Sequence, residues 1–512
     1  MQSIWRRRAV PVAVAVVGLM AVTACAPADQ SGSAGQGASG DGAKDLLTLG
    51  MTADLPGLNI KVQPTYQGWF ADAVWDALLT CDENVKPSAE LVEEWSYNDD
   101  QSAATIALRD GVTFSDGTTL DTEDVKQSLE VAADVNTRFQ DLTYDIADDL
   151  NMTITWPAPV PTLDMLMCEA VITSSEAIEA GTLDNQVVGT GPYVYDAGAS
   201  TVGSQYTVTR NPDYWGAGGD LYPYEKLVFK VFSNETAALN ALKTDQIDGT
   251  VISAATVDEA EQAGLNTITM RGNTTRLLLT DHDGESIPAL GDVRVRQAMN
   301  MVFDRDAIAK DLYRGYADPA TQIFRPGTEA FIEDLEDPYP FDVDAAKALM
   351  AEAGYEDGFT LPIPFLEGNN LELLMPYVTE QLGEIGITVE QKNLTGPDAI
   401  SNLLSGDYPV PMWQLGNYGT SIKDIQDYVL DDGLWNVMHQ KDEKIDELWQ
   451  TILTGSDEEK VEAQQEINQY IIDEAWFIPL AYPDGFYATN DSVDIEQVSD
   501  YAQLTPLLRD FA

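Results

Sequence analysis

The chain has 512 residues, of which 44% are hydrophobic; this content is typical of a globular protein and excludes a disordered one. Its 85 acidic and 28 basic residues give a net charge of −57, which argues against a nucleic-acid partner on electrostatic grounds. With only 2 histidines, His282 and His439, we expect no histidine metal cluster, no catalytic triad and no cofactor.

The first residues carry the features of an export signal. Arg6 to Arg8 form a basic start, an apolar run follows over residues 9–20, and V-T-A-C ends at Cys25. Small residues followed by a cysteine resemble the lipobox of bacterial lipoproteins, in which the signal is removed before the cysteine and its thiol is lipidated. We therefore expect a lipoprotein signal peptide over residues 1–24 and a lipid anchor at Cys25. The alternative is an ordinary secretory signal with an incidental cysteine.

Residues 25–44 are rich in Gly, Ser and Ala, which predicts a flexible linker between the lipid and the folded body. Two more cysteines follow, Cys81 and Cys168. An even pair in an exported chain indicates a possible disulfide. The alternative is two buried free thiols.

Strand and helix signals alternate from the first folded residues onward. L-L-T-L-G-M at Leu46–Met51 predicts a first strand, and L-V-F-K-V-F at Leu227–Phe232 predicts a buried one. Asn234 is placed to cap a helix that runs to about Lys243, and Gln246–Ile252 predicts the next strand. A strand, a helix and a strand in this order form a βαβ unit, so we expect parallel strands here.

The same alternation returns in the second half of the chain. Asp342 is placed to cap a helix that Gly354 ends, and an amphipathic helix is predicted from Leu371 to about Glu384. The apolar stripe of that second helix consists of Leu374, Val378, Leu382 and Ile385. The next predicted elements are a strand at Ile387–Glu390, a short helix near Pro397–Leu404 and a strand near Val410–Leu415. This order predicts an α/β fold with helices on both faces of the sheet.

The segment Trp95–Glu130 carries the most specific pattern. T-I-A-L-R alternates, D-G predicts a turn, V-T-F at Val112–Phe114 predicts a second strand, and S-D-G predicts a second turn. Asp121 is placed to cap a helix that carries Val125 and Leu129. As a whole, the segment resembles the signature of the family 5 extracellular solute-binding proteins, which are the peptide, nickel and oligosaccharide receptors of ABC importers.

Further segments match this family in the expected order. They are V-V-G-T-G-P-Y-V-Y-D at Val187–Asp196, R-N-P-D-Y-W-G at Arg210–Gly216, V-R-V-R-Q-A-M-N-M-V-F-D-R-D-A-I at Val293–Ile308 and A-A-K-A-L-M-A-E-A-G-Y at Ala345–Tyr355. The resemblance covers nearly all of the mature chain, and several segments in order are far more specific than any one of them.

The resemblance implies an α/β, type II periplasmic-binding-protein fold with two lobes, a hinge and an inserted third domain. The implied domains are a discontinuous domain I over residues 45–68, 186–272 and 481–512, an inserted domain II over 69–185, and domain III over 273–480. The chain would cross between the lobes near Arg271–Arg276 and near Pro479–Asp484, and these strands would form the hinge.

The resemblance also implies a ligand site in the cleft between the lobes. In peptide-binding members, a strand with the pattern W-x-x-D-Y presents backbone groups to the ligand, and its Asp pairs with the peptide α-amine. Here W-Q-L-G-N-Y supplies Trp413, Asn417 and Tyr418, with one extra residue and with Asn in place of the acid. A neutral amide cannot make the charge-assisted bond that an ammonium group prefers, which leaves room for an oligosaccharide or for a peptide held differently.

Three more positions are candidates for the cleft. Asp54 matches an acidic position near the amine in some peptide receptors, and the alternative role is a loop cap. Arg325, in F-R-P-G, is a candidate to meet a ligand carboxylate, and the alternative is a surface arginine. Tyr482 matches an aromatic position of the cleft.

Together these features predict an extracytoplasmic, lipid-anchored receptor of an ABC importer that captures oligopeptides or peptide-like solutes. The permease and the ATPase would be other chains, and the receptor would be a monomer, not an enzyme, held to the membrane by its lipid alone. An oligosaccharide receptor of the same fold is the first alternative. An exported glycoside hydrolase is the second, although the sequence shows no carboxylate pair at a specific site.

Overall fold

The computed structural model describes residues 45–55, 57–60, 68–81, 86–216, 221–366, 371–395, 399–416, 419–495 and 505–511. Among the helices of these residues, none has both the length and the apolar composition that a bilayer span requires. The predicted signal peptide at 1–24, the linker at 25–44 and the lipidation site Cys25 lie outside the described residues.

The strands are β1 Leu47–Met51, β2 Leu79–Cys81, β3 Pro87–Ala89, β4 Val92–Tyr97, β5 Ala103–Leu108, β6 Thr143–Ile146, β7 Asn151–Thr155, β8 Tyr193–Tyr195, β9 Gln205–Arg210, β10 Lys226–Val231, β11 Gly249–Ile252, β12 Asn266–Arg271, β13 Asn273–Leu278, β14 Ala317–Pro319, β15 Thr360–Leu366, β16 Thr388–Leu394, β17 Met412–Gly416 and β18 Phe477–Thr489. The α-helices are α1 Trp69–Val74, α2 Thr122–Ala132, α3 Leu163–Glu169, α4 Ser175–Glu179, α5 Glu235–Leu242, α6 Val257–Gln262, α7 Val293–Met301, α8 Arg305–Ala307, α9 Val343–Glu352, α10 Met375–Glu384, α11 Ala399–Leu403, α12 Ser421–Tyr428, α13 Glu443–Thr454 and α14 Asp457–Asp473.

In the described part of the chain, 10 strands form one sheet, whose path runs β17-β13-β18-β11-β1-β10-β9-β8, with β12 and β14 also paired to β18. Strands β10 and β11 both pair with β1 in parallel, and α5 connects them. The side chain of Asn234 accepts a hydrogen bond from the N–H of Ala237 and caps α5. The predicted βαβ unit and its cap are confirmed.

A second, antiparallel sheet has the order β4-β5-β7-β6 and contains the alternating T-I-A-L-R segment. The prediction of a second strand at Val112–Phe114 is wrong, because Thr113 forms only an isolated bridge with Thr119. Strand β5 takes β4 and β7 as its neighbours instead. Asp121 caps α2 as predicted, since its side chain accepts bonds from the N–H groups of Glu123 and Asp124.

The elements predicted between Asp342 and Leu415 occur in the predicted order, with one helix divided and with an additional strand, β15, that was not predicted. Asp342 caps α9, and Gly354 follows that helix at a φ of 82°, the left-handed conformation that ends a helix. The predicted helix from Leu371 is divided into a 3₁₀ turn at Leu371–Leu373 and α10. Pro376 lies in the first turn of α10, where a missing N–H costs nothing, so the α-helix begins there.

The buried apolar residues form separate clusters. One lies against the four-stranded sheet and includes Leu108 and Val125, and a larger one extends from Leu277 to Ala481. A further cluster surrounds β1 and β10 and includes Trp69. Helix α1 therefore packs with the strands predicted for domain I, although the expected boundary at residue 69 placed it in domain II.

Candidate functional site

Two chain segments run side by side where the predicted domains I and III meet. Strand β12 ends at Arg271 and β13 begins at Asn273, while β18 continues through the same region. Strand β18 pairs with β13 over Phe477–Ala481 and with β12 over Asp484–Thr489. Arg271 Nε and Asp484 Oδ1 form an ion pair at 3.2 Å. The two segments that were predicted to cross between the lobes therefore lie next to each other in the ten-stranded sheet.

Strand β17 is the edge of this sheet beside the crossing. Its last residue, Gly416, is opposite Asn273. The N–H of Leu278 donates to the carbonyl oxygen of Pro411 at 3.0 Å, which fixes the alternation of the ladder. By that alternation, the N–H and C=O of Gln414 point away from β13, and no described residue is hydrogen-bonded to them. The edge therefore offers main-chain groups at alternate residues, with the N–H and C=O of Gln414 at the middle of β17.

The side chain of Gln414 is held in place on the sheet. Thr275 Oγ1 donates to Gln414 Oε1 at 3.3 Å and lies 2.8 Å from the hydroxyl oxygen of Tyr313. Since the single hydroxyl proton of Thr275 goes to Gln414, the hydroxyl of Tyr313, whose pKa burial raises to about 12, donates to Thr275. The bond from Thr275 thus holds Oε1 of Gln414 in place beside β13.

Tyr428, the last residue of α12, supports the end of β17. Its hydroxyl donates to the carbonyl oxygen of Gly416 at 2.9 Å. Burial raises the pKa of Tyr428 far above its usual value, so the hydroxyl stays a donor. The guanidinium of Arg276 lies 4.2 Å from the centre of the Tyr428 ring, and its Nη1 donates to the carbonyl oxygen of Ile323 at 3.3 Å. Arg276 is fully buried, so this cation–π contact is shielded from water.

Tyr482 and the segment that contains Arg325 meet next to the crossing. The hydroxyl oxygen of Tyr482 lies 2.8 Å from the carbonyl oxygens of both Gln322 and Phe324, so its proton is committed to the main chain. Arg325, the next residue, is only 7% exposed. The alternative of a surface arginine is therefore wrong.

Trp413 and Asp54 lie in settings that favour structural roles. Trp413 is 8% exposed, and its ring centre lies 5.3 Å from that of Trp435. Asp54 Oδ1 accepts bonds from the N–H of Leu55 at 2.9 Å and from the hydroxyl of Tyr206 at 2.6 Å, which fits the loop-cap alternative. In the described part of the chain, no hydrogen bond or ion pair joins Asp54 to β17.

Asn417 and Tyr418, which follow Gly416, lie outside the described residues.

Cys81 and Cys168 are joined by a disulfide with their Cα atoms 5.8 Å apart. This bond ties β2 to α3.

Sequence reasoning missed Gln414 and Tyr428. The W-Q-L-G-N-Y pattern marks the strand, but side-chain alternation does not tell which main-chain groups face a partner. Tyr428 is 12 residues from Gly416, so no local period connects the two. The spacing of Ile425 and Tyr428, which lie on one buried side of α12, was the available signal for a supporting helix.

One of the two histidines has a clear structural setting. His282 stacks on Trp476 with 4.0 Å between ring centres, and burial together with the charge of Arg296 lowers its pKa to about 3. The neutral ring serves in packing. Across the residues that the structure describes, no group of three or more His, Cys, Asp or Glu side chains is placed to hold a metal ion.

Residues 86–430 match the family described as bacterial extracellular solute-binding proteins, family 5 Middle, which is well over half of the chain. The chain belongs to this family. The resemblance drawn from the five sequence segments is confirmed, and the family consists of solute-binding proteins rather than enzymes.

A curated relative of this solute-binding protein is the glutathione-binding protein GsiB of Salmonella paratyphi A. The two are 24% identical over 348 residues, which are 64% of this chain and 65% of the relative. The match thus spans slightly less than two thirds of the relative's own length.

Solved structures share the fold of this solute-binding protein over most of its length. DppA from Helicobacter pylori, in complex with the peptide STSA, has a TM-score of 0.77 at 19% identity and covers 92% of this chain and 98% of its own. AgaA from A. tumefacien R10, in complex with agropinic acid, has a TM-score of 0.79 at 21% identity and covers 91% and 98%. The predicted type II periplasmic-binding-protein fold is confirmed.

Proposed function

We propose that this protein is the substrate-binding receptor of an ABC importer and that it binds oligopeptides or peptide-like solutes as an added strand along β17. The observation that carries the proposal is the outward N–H and C=O of Gln414 at the sheet edge beside the crossing. An extended peptide presents donors and acceptors with the same alternation, so it completes such an edge.

The relatives support a peptide-like ligand. GsiB is described as glutathione-binding, and the DppA structure holds a peptide. Glutathione and the peptide STSA both contain amide groups that are able to pair with a strand edge.

The aromatic residues give less support to the oligosaccharide alternative. A sugar stacks on an open aromatic face. Trp413 is buried against Trp435, and the hydroxyl of Tyr482 is bonded to two main-chain carbonyls.

We also propose the domain division of the resemblance, with α1 moved to domain I because Trp69 packs around β1. Domain II then begins after Trp75 and domain III extends over residues 273–480. The ligand would lie between domain III and the other two domains, and closure of the lobes would bury it. Lipidation at Cys25 would keep the receptor at the outer face of the membrane, where a separate permease takes the solute.

The test begins with native mass spectrometry of protein purified from its source. Thermal-shift assays against blocked and free peptides, and against oligosaccharides, then identify a binding series. We expect peptides to raise the melting temperature. A tight-binding peptide is next resynthesised with single N-methyl groups, one amide at a time.

N-methylation removes one donor without changing the sequence of the peptide. We expect binding to be lost at alternate amides only, because alternate groups of a strand face its neighbour. Binding of oligosaccharides alone, or an N-methyl scan without alternation, would contradict strand addition.

A further inference from the structure

Helix α12, Ser421–Tyr428, touches α3, Leu163–Glu169, although their sequence separation exceeds 200 residues. The hydroxyl of Thr162, the N-cap residue of α3, donates to Oε1 of Gln426 at 3.0 Å. Thr162 is 5% exposed. The apolar residues of the two helices belong to different core clusters, so this contact is polar.

Charged groups surround this hydrogen bond on both sides. On α12, the Lys423 side chain is 3% exposed and pairs with Asp427 one turn later. On the opposite side, Arg138 pairs with Glu169 at 2.9 Å. Burial lowers the pKa of Lys423, Asp427 opposes this, and Arg138 lowers it further, so the two ion pairs lie close enough to interact.

The last turn of α12 also contacts the strand proposed to bind the ligand. Tyr428 donates to the carbonyl of Gly416, and Gln426 lies two residues before Tyr428 in the same helix. One short helix of 8 residues therefore contacts both the end of β17 and the α3 surface.

The α3 surface is itself held rigidly. The disulfide Cys81–Cys168 anchors α3 at the residue before Glu169. Near the start of α3, the Tyr97 hydroxyl donates to Asp164 at 2.5 Å. A surface held in this way is able to keep its position when α12 docks on it.

We propose that α12 couples the ligand strand to lobe closure: Gln426 docks on Thr162 when the lobes close, and Tyr428 transmits that docking to the end of β17. Tyr428 is a positioning residue, since it acts through Gly416. The role of β17 in ligand binding rests on the proposed function, but the docking of α12 on α3 and its effect on β17 do not. A coupling of this kind is reciprocal, so fixing the docked state must order the strand end even without ligand.

The first test asks whether the two helices meet in solution. In the full chain with Cys25→Ser, Thr162→Cys and Gln426→Cys are combined and treated with a short bifunctional maleimide. We expect an intramolecular bridge, seen by intact mass, and only single attachment in the two single-cysteine variants. Failure of the pair to bridge would overturn the docking.

The second test measures hydrogen exchange of the Met412–Gly416 amides in bridged protein and in the labelled single-cysteine variants. We expect bridging to slow this exchange several-fold. Tyr428→Phe keeps the ring over Arg276 but removes the bond to Gly416, and should abolish the slowing. The matched control is Tyr377→Phe, which removes the hydroxyl bonded to the N–H of Asp304 and should leave the slowing intact.

Slowing that persists in Tyr428→Phe, or that is absent from bridged wild-type protein, would overturn the coupling. Neither measurement uses a ligand. A failure of the peptide-binding proposal would therefore appear in the N-methyl scan and leave both of these results unchanged.

Discussion

The indole Nε1 of Trp215 donates a hydrogen bond of 2.8 Å to Oδ2 of Asp76. The guanidinium of Arg109 lies 4.5 Å from the centre of the same indole, and its Nε donates to the carbonyl oxygen of Glu90 at 3.1 Å. The family segments that contain Arg109 and Trp215 thus meet around one buried acid. Burial raises the pKa of Asp76 and also that of Glu90, whose proximity to Asp76 adds to the effect.

Asp76→Asn is expected to remove a pH-dependent loss of stability. Below the usual pKa values of 3.8 and 4.5, both acids are protonated in the folded and unfolded chain. As the pH rises towards 7, the two acids ionise first in the unfolded chain, so the free energy of unfolding of the wild type falls relative to that of the variant. At about 1.4 kcal/mol for each unit of pKa difference between the folded and the unfolded chain, the fall is roughly 1–3 kcal/mol.

Urea denaturation of both proteins at several pH values measures this difference. The variant keeps an oxygen that accepts the Trp215 bond. The exposed Asp99→Asn serves as control and should follow the wild type. A stability difference between Asp76→Asn and wild type that does not change with pH would contradict the expectation.

Gly189→Ala is expected to destabilise the fold strongly. A Cβ at Gly189 would lie 1.9 Å from the carbonyl oxygen of Val74 and 2.5 Å from Cδ1 of Trp75. Overpacking of this kind costs roughly 1–3 kcal/mol or more. Gly383→Ala is the control, because a Cβ there meets nothing within 4 Å and a helical Ala gains about 1 kcal/mol over Gly. Thermal unfolding that ranks the two variants equally would be the contrary result.

Removing the disulfide is expected to lower the free energy of unfolding. The loop that Cys81 and Cys168 close has a sequence separation of 87 residues, for which the chain-entropy model gives about 4–5 kcal/mol. The double variant to alanine should show this loss in urea titrations. Thiol titration of unfolded, unreduced Cys25→Ser protein should find no free thiol, and two free thiols would exclude the bond.

Cys25→Ser is expected to release the protein from the membrane, since two or three acyl chains are what would hold it there. Fractionation of cells that express the variant and the wild type measures the effect. Retention of the variant in the membrane fraction, under salt conditions that strip peripheral proteins, would contradict a lipid anchor.

Asn417→Asp is expected to shift binding towards peptides with a free α-amine. A carboxylate at the residue that follows Gly416 in the sequence is able to make a charge-assisted bond that the native amide cannot make. Thermal shifts of free and N-acetylated forms of one peptide measure the preference. An unchanged ratio between the two forms would count against this alignment.

The sequence predicted elements whose signals are local. The caps Asn234, Asp121 and Asp342 all form as expected, because an N-cap depends on residues within one turn. Val112–Phe114 failed as a strand because its pairing depends on which distant strands lie beside β5, and local alternation does not contain that information.

The sequence predicted which strand contributes to the candidate site but not which residue of that strand has outward main-chain groups. Trp413 was singled out for its side chain, yet the free main-chain groups belong to the next residue, Gln414. Arg325 was a candidate to meet a ligand carboxylate, with a surface position as the alternative, and the structure buries it. Residue type alone does not reveal such burial.

Strand β18 pairs with β13 at one end and with β11 and β12 at the other. Any twisting of one lobe against the other must therefore be absorbed within a few peptide units of a continuous ladder. Pro483 has its φ fixed at about −65°, whereas Gly485, which pairs with Met270 of β12, lacks a Cβ and has a wider range of allowed backbone angles. A change of backbone angles at this crossing therefore costs less at Gly485 than at Pro483.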